Sequence, residues 1–281
     1  MDSRSISDSN RTLVTIDSRN RRSGSLSDLV GQRDLLYFLI WRDIKIRYKQ
    51  TVLGVLWAVL VPLLQTFLFT MIFGRFADIK TDGNYSYTVF VLAGLIPWTL
   101  FSQALTIGGQ SLVNQQHLMT KVYFPRLYIP AAAVGGCLVD FLVALLLYAI
   151  VLTHVGIVPS KGIVLLPAMI ALTIVASLGI AFLLSALTVS YRDFKYLIPV
   201  AVQVLMYASP IVYPVSLIPP QYRFFMGLNP MTGIVDGYRS AILGKPWDLT
   251  LTLQATFISL LLFGLGTAYF RRTEDRFADV V

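Results

Sequence analysis

The chain has 281 residues, of which 56% are hydrophobic and 14% charged, and its formal net charge is +8. Soluble domains carry about a quarter charged residues, so this composition excludes an ordinary soluble protein and places most of the chain in lipid. Several uncharged runs exceed the ~20 residues that a helix needs to cross a bilayer. Because these runs are continuous rather than alternating, they predict membrane-spanning helices and not a β-barrel.

The chain begins with a polar tail over residues 1–30, which has the Ser/Asp/Arg-rich composition typical of a disordered segment and no apolar core of a secretory signal. Residues 31–50 then predict an amphipathic helix in the headgroup plane, with Trp41, Ile44 and Tyr48 as its apolar stripe. Basic side chains occupy much of the remaining circumference: Arg42, Lys45, Arg47 and Lys49. Simple anchoring and the gripping of an anionic lipid headgroup both fit this pattern.

Residues 51–281 predict an all-α integral membrane domain with six spans. The predicted spans cover residues 51–74, 86–109, 127–154, 162–189, 196–214 and 249–270. With both termini in the cytoplasm, 17 of the 23 lysines and arginines lie on the inner side. This distribution follows the positive-inside rule. The excess of lysine and arginine over acidic residues therefore reflects membrane topology, and we expect no nucleic-acid partner.

The third predicted span contains a carboxylate within apolar sequence. Ala132, Gly136, Asp140 and Ala144 recur every four residues, so they share a helix face on which small residues allow close packing. Asp140 should therefore face protein rather than lipid. No lysine or arginine is predicted at this depth, which favours a neutral Asp140 that is hydrogen-bonded to Ser, Thr or backbone. A role for Asp140 in proton coupling is the alternative.

Prolines interrupt the apolar stretch between the fifth and sixth spans, "SPIVYPVSLIPPQYRFFMGLNPMTGIVDGYRSAILG". Non-helical backbone at membrane depth is tolerated only where protein buries it or where it lines a cavity. Residues 215–244 are therefore predicted to fold back as short re-entrant helices on the outer face. Asn229 is a suitable N-cap, Pro230 suits the first helical position, and Gly244 suits the C-terminal end.

The sequence lacks the motifs of common membrane-associated enzymes. It contains no G-x-x-x-x-G-K-[ST] phosphate loop, no H-E-x-x-H and no G-x-S-x-G. We therefore expect no enzyme chemistry and no cofactor or metal bound by this chain. Energy for uphill transport would come from a partner or from an ion gradient.

Five stretches, taken together and in this order, resemble the membrane subunit of ABC-2 type exporters for polysaccharides. They are "RDIKIRYKQTVLGVLWAVLVPLLQ", "FVLAGLIPWTLFSQAL", "LVNQQHLMTKVYFPRLYIP", "LTVSYRDFKYLIPVAVQVLMYASPIVYPV" and "LNPMTGIVDGYRSAILG". The pattern is most similar to permeases that export O-antigen or teichoic-acid chains on a polyprenyl diphosphate carrier. Capsule exporters share the architecture.

The resemblance implies a homodimer in a bacterial inner membrane, with two separate ATPase subunits that bind ATP and magnesium on the cytoplasmic face. It implies that residues 110–126 form a coupling loop for the ATPase, with the docking residues Asn114, Gln115, Gln116, His117, Met119, Lys121, Phe124, Pro125 and Arg126. It also implies that the interface helix helps to form a lipid access gate, with Trp41, Arg42, Lys45, Arg47, Tyr48 and Lys49. The re-entrant helices over residues 215–244 would close the channel exit.

A sugar chain has apolar faces that can slide over aromatic rings. The candidates for lining its path are Trp98, Phe101, Tyr207, Tyr213, Tyr222 and Phe225, with Asn229 and Pro230 at the exit. An ordinary interfacial aromatic belt is the alternative for these rings. The leading expectation is export of a lipid-linked polysaccharide. The alternatives are an ABC-2 permease for a small drug or lipid, a proton-coupled carrier, and a membrane scaffold that transports nothing.

Overall fold

The computed structural model describes residues 33–49, 54, 56–83, 85–116, 125–274 and 277. The predicted tail and the middle of the predicted coupling loop lie outside these residues. Within them the fold is helical throughout, which confirms the predicted all-α class. The helices are α1 (Arg33–Lys49), α2 (Leu56–Phe69), α3 (Tyr87–Gln103), α4 (Gly109–Asn114), α5 (Tyr128–Val155), α6 (Leu166–Ser190), α7 (Phe194–Ala208), α8 (Pro220–Met226), α9 (Pro230–Leu243) and α10 (Leu249–Thr273).

Two of these helices widen into π-helical turns. The helix α2 continues as a π-helix over Thr70–Phe76, and Ala104–Gly108 forms a π-helical turn between α3 and α4. A short 3-10 helix, Lys161–Leu165, precedes α6.

Five continuous helices in the described part of the chain are long and apolar enough to cross a membrane. They are Leu56–Phe76, Tyr87–Asn114, Tyr128–Val155, Lys161–Ser190 and Leu249–Thr273. The helix α7, which corresponds to the predicted span 196–214, has only 15 residues because the chain leaves the helix after Ala208. Pro210 lies directly beyond this point and cannot donate a helical hydrogen bond.

The helix α3 forms the centre of the fold. Over its apolar window 72% of the residues are buried, whereas the corresponding fraction for the other spans is between 11% and 33%. Its buried side chains include the continuous run from Val89 to Trp98. The helices α2, α5, α6 and α9 pack around it. A helix that is apolar around its whole circumference is expected at such a position.

A very close helix crossing joins α6 and α10 at two glycines. A Cβ atom on Gly266 would lie 2.2 Å from the carbonyl oxygen of Gly179, and a Cβ on Gly179 would lie 2.5 Å from the backbone nitrogen of Phe263. The backbones therefore touch directly, as small residues allow in membrane helices.

Candidate translocation pathway

The interface helix α1 packs lengthwise on α5. Leu39 is its buried residue, Ile40 lies against Gly135, and Asp43 lies beside Gly136. The predicted stripe divides between two surroundings: Trp41 is 47% exposed with Lys45 Nζ 5.3 Å above its ring, whereas the Tyr48 hydroxyl donates to Asp140 of α5. That the helix lies in the headgroup plane stays a prediction.

The most consequential correction concerns Asp140. Its Oδ2 lies 2.6 Å from Arg47 Nη1, and its Oδ1 accepts a hydrogen bond from the Tyr48 hydroxyl. Arg47 also lies 3.5 Å from Gln103 Oε1 and from Cys137 Sγ. From the sequence, no lysine or arginine was expected at the membrane depth of Asp140, because Arg47 precedes the apolar run of the first span. Since α1 runs alongside α5, the arginine nevertheless reaches the carboxylate, and Asp140 is ion-paired.

The Asp140 pair predicts that Asp140→Ala lowers the stability of the protein in detergent by about 1–3 kcal/mol. This range lies below that of fully buried pairs because the Arg47 side chain is 24% exposed. The measurement is the thermal midpoint of the purified protein, with Asp34→Asn, at an exposed position of α1, as control. Exchange of the charges, Arg47→Asp with Asp140→Arg, should restore part of the loss. Export by Asp140→Asn, which leaves no carboxyl group to titrate at this position, would exclude a proton-carrying role.

Residues at both ends of the predicted coupling loop, 110–126, contact other helices. Arg42 Nη2 donates to Gln115 Oε1 over 2.7 Å, which joins α1 to the C-terminal end of α4. Asn114 is exposed, while Gln116 and Pro125 are half-buried. The backbone N–H of Arg126 donates to Glu274 Oε1 over 3.2 Å, at the end of α10. The docking candidates His117, Met119, Lys121 and Phe124 lie outside the described residues.

The structure separates the aromatic candidates into two groups. Trp98 and Phe101 are each 3% exposed, and their ring centroids lie 6.1 Å apart in the core around α3. This arrangement corrects the prediction that they line a path, because neither ring has an open face. By contrast, Tyr207, Tyr222 and Phe225 are 55%, 54% and 66% exposed.

The exit candidates occupy the ends of the short outer helices. The half-buried Tyr213 donates to the carbonyl of Tyr207 over 3.2 Å. Asn229 Oδ1 accepts from the Met231 N–H over 3.0 Å, and its Nδ2 donates to Ser209 Oγ over 2.8 Å. Pro230 is the buried first residue of α9, and Gly244 follows the helix with φ +76°. These are the positions that capping chemistry predicts for them.

A fully buried arginine in α9 was missed at the sequence level. Arg239 is 0% exposed, and its guanidinium donates to the carbonyls of Pro210 (2.6 Å), Ile211 (2.7 Å) and Phe90 (3.3 Å). The guanidinium carbon also lies 3.5 Å from the centroid of the Phe90 ring. Gly94 makes room for it, since a Cβ there would lie 3.0 Å from Nη2. The signal that could have found it is its apolar neighbours at helical spacing, Val235 and Ile242, which indicate burial.

A second charged cluster surrounds Lys245, just after the C-terminal end of α9. Lys245 Nζ contacts Asp236 Oδ1 at 2.6 Å and Asp82 Oδ2 at 2.9 Å, and Ser216 donates to the other oxygen of Asp82. Burial alone would raise the pKa of Asp82, but the hydrogen bonds from Ser216 and Lys245 lower it below its ordinary value. Burial likewise opposes the charge of Lys245, yet Asp236 and Asp82 raise its pKa. Both groups therefore remain charged at neutral pH.

Comparison with known proteins connects this architecture to one family. The family model described as "ABC-2 type transporter" matches residues 34–243. The O-antigen export system permease protein RfbA of Myxococcus xanthus is 25% identical over 257 residues, covering 90% of this chain and 98% of that protein. A protein of the same name from Klebsiella pneumoniae is 26% identical over 249 residues, covering 88% and 95%.

A third relative is named for a different cargo. The polysialic acid transport protein KpsM of Escherichia coli is 28% identical over 243 residues, covering 84% of this chain and 92% of that protein. The family match includes α1, the first five predicted spans and both short outer helices. The chain is thus a multi-pass membrane protein, and it belongs to the ABC-2 type transporter family.

Proposed function

We propose that the chain is the membrane subunit of an ATP-driven exporter that moves polyprenyl-diphosphate-linked polysaccharide out of the cytoplasm across a bacterial inner membrane. The observation that carries this proposal is the similarity over most of the chain to permeases named for O-antigen and polysialic acid. A homodimer with two ATPase subunits, which bind ATP and magnesium, would complete the transporter. Both termini of this chain would face the cytoplasm.

An exposed, partly polar face of α7 supports a sugar cargo. Tyr196 and Tyr207 are 76% and 55% exposed, and the exposed Gln203 lies on the same face at helical spacing. An uncompensated amide facing lipid is costly. A path for a glycan suits this face better, because the amide can bond sugar hydroxyls and the rings can stack on apolar sugar faces. A second copy of the chain would enclose this path.

The exposed surface of α1 suits the carrier lipid. A cavity of about 370 Å³ is lined by Phe38, Trp41, Arg42, Lys45, Ile46 and Lys49. Cationic side chains there would bind the diphosphate, while the aromatic and aliphatic side chains would contact the isoprenoid chain. Arg47 and Tyr48, the other two predicted gate residues, contact Asp140 instead. We propose that they fix the helix rather than bind lipid.

Two sets of substitutions test the two ends of the proposed route. The first set, Lys45→Gln with Lys49→Gln, neutralises the cavity on α1. The second set, Gln203→Leu with Tyr207→Ala, alters the exposed face of α7. Each set should lower the amount of surface glycan several-fold at unchanged permease abundance. The first set removes charges that attract diphosphate, and the second removes sugar contacts. The control is Leu253→Ala, because Leu253 is 69% exposed on α10. Wild-type export by either set of variants would show that the surface altered in that set is not part of the export route.

Deletion of the gene tests the cargo itself. Surface glycan, detected with a membrane-impermeant lectin, should disappear, while lipid-linked glycan accumulates and becomes visible after permeabilisation. The trapped glycan would identify an O-antigen, a teichoic acid or a capsule. Unchanged surface glycan would contradict the proposal and favour the small-drug or lipid permease.

Coupling to ATP hydrolysis is tested separately. The purified permease should bind the ATPase subunit, and substitution of Asn114 and Gln115 should weaken that complex. A chain that binds no ATPase and tolerates these changes would favour the scaffold reading.

A further inference from the structure

The two short helices on the outer face differ sharply in burial. In α9, 13 of the 14 residues are buried, including Asp236 and Arg239. In α8 no residue is buried, and Tyr222, Phe224 and Phe225 are 54–66% exposed. The re-entrant region is therefore not one uniform gate. One half is embedded in the protein and the other half lies on its surface.

Arg239 ties the embedded half to two other elements. It holds α9 to the non-helical stretch after α7 through Pro210 and Ile211, and to α3 through Phe90. Separating these elements would leave a buried cation and the carbonyls of Pro210 and Ile211 unpaired, which is unfavourable for buried groups. The three elements should therefore remain together when the exit opens.

Other contacts enlarge this fixed unit. Asn229 Nδ2 donates to Ser209 Oγ over 2.8 Å, so the start of α9 is joined to the end of α7. Lys245 bridges Asp236 of α9 and Asp82 of the outer loop before α3. We name this unit, made of α9, Ser209–Val212, Asp82 and α3, the exit frame.

The segment Val215–Met226 is attached to the exit frame much more weakly. Its described side-chain hydrogen bonds to the frame are Ser216 to Asp82 and Thr232 to the Met226 carbonyl. Its apolar contact is a small cluster in which Val215 and Ile218 cover Leu251 of α10. Pro214 and Gly227 bound the segment on its two sides.

We propose that Val215–Met226 is the moving flap of the exit, while the exit frame stays fixed and Arg239 acts as its positioning residue. This inference rests on the proposed export function for its purpose, but its geometry does not depend on which cargo passes. Opening would uncover Leu251, which is 3% exposed, and would leave Val235 in α9, which is 0% exposed, covered.

Cysteine labelling tests this division directly. Cys137 is the single cysteine, so Cys137→Ala provides the background for Leu251→Cys or Val235→Cys. Spheroplasts that contain the full transporter are treated with a membrane-impermeant maleimide, and a hydrolysis-deficient ATPase serves as control. Leu251→Cys should be labelled several-fold faster with the active ATPase, whereas Val235→Cys stays unlabelled. Labelling of Val235→Cys, or no labelling at either site while export proceeds, would overturn the proposal.

Crosslinking gives a second, independent outcome. A short thiol-specific crosslinker between Asp82→Cys and Ser216→Cys should stop export by fixing the flap, and reduction of a cleavable linker should restore it. The matched pair, Ser209→Cys with Asn229→Cys, lies wholly within the exit frame, and crosslinking it should not change export relative to the same variant before crosslinking. The reverse pattern would refute a fixed frame. If the cargo were not a glycan, the deletion experiment would fail while the labelling pattern still held.

Discussion

Replacing Arg239 with methionine is expected to abolish the accumulation of folded protein in the membrane. Methionine fills similar space but donates no hydrogen bond, so the carbonyls of Pro210, Ile211 and Phe90 lose their shared donor. The carbonyls of Pro210 and Ile211 lie in the non-helical stretch after α7, and each costs about 1–3 kcal/mol when it is buried and unpaired. This loss is a large fraction of the whole stability of a typical domain, which is about 5–15 kcal/mol.

The measurement is the yield of monodisperse protein after mild detergent extraction, followed by fluorescence-detected size-exclusion chromatography. Arg223→Met is the matched control, because Arg223, in the described part of the chain, donates to the Ile218 carbonyl of its own short segment. Arg239→Lys should give an intermediate yield, since an ammonium keeps the charge but lacks the planar fork that reaches three oxygens. A wild-type elution profile for Arg239→Met would show that the guanidinium does not hold this region together.

The second large effect is expected from Gly266→Leu at the crossing of α6 and α10. Its Cβ atom would lie 2.2 Å from the Gly179 carbonyl oxygen, so the two backbones must separate. Overpacking of a core by side chains alone typically costs about 1–3 kcal/mol. We expect a larger loss here because the obstructing atom belongs to the backbone and cannot rotate away.

Gly264→Leu is a stringent control for this substitution. Gly264 precedes Gly266 by two positions on the same helix, and a Cβ there meets nothing within 4 Å. Both variants add the same side chain and the same helix propensity, so a difference between them reports packing alone. The measurement is the thermal midpoint of the purified protein. Equal midpoints for the two variants would contradict the close contact.

The sequence was most informative where structure depends on neighbouring residues along the chain. Asn229, Pro230 and Gly244 define the ends of α9 by capping chemistry, which needs no knowledge of the rest of the fold. The apolar runs likewise located five described helices that are long enough to cross a membrane, because hydrocarbon thickness fixes the necessary length.

The failures concern contacts between distant elements. Arg47 and Asp140 are 93 positions apart, and their pairing depends on α1 running beside α5, which helical periodicity does not encode. Trp98 and Phe101 were expected to face the cargo, yet α3 proved to be the central helix, so both rings are enclosed. Helix packing decides whether a side chain faces lipid, water or cargo. The helical periodicity of the sequence does not reveal how the helices pack.

The π-helical turn at Ala104–Gly108 has a consequence for comparing this chain with its relatives. Such a turn accommodates about one residue more than an α-helical turn, and one residue corresponds to a rotation of about 100°. A helical wheel continued from α3 into α4 therefore assigns Leu112 and Asn114 to the wrong faces. A homologue lacking one residue within this turn would keep the core side of α3 and the Gln115 contact with Arg42 in place. Alignments should accordingly place a single-residue gap there rather than in the loop that follows.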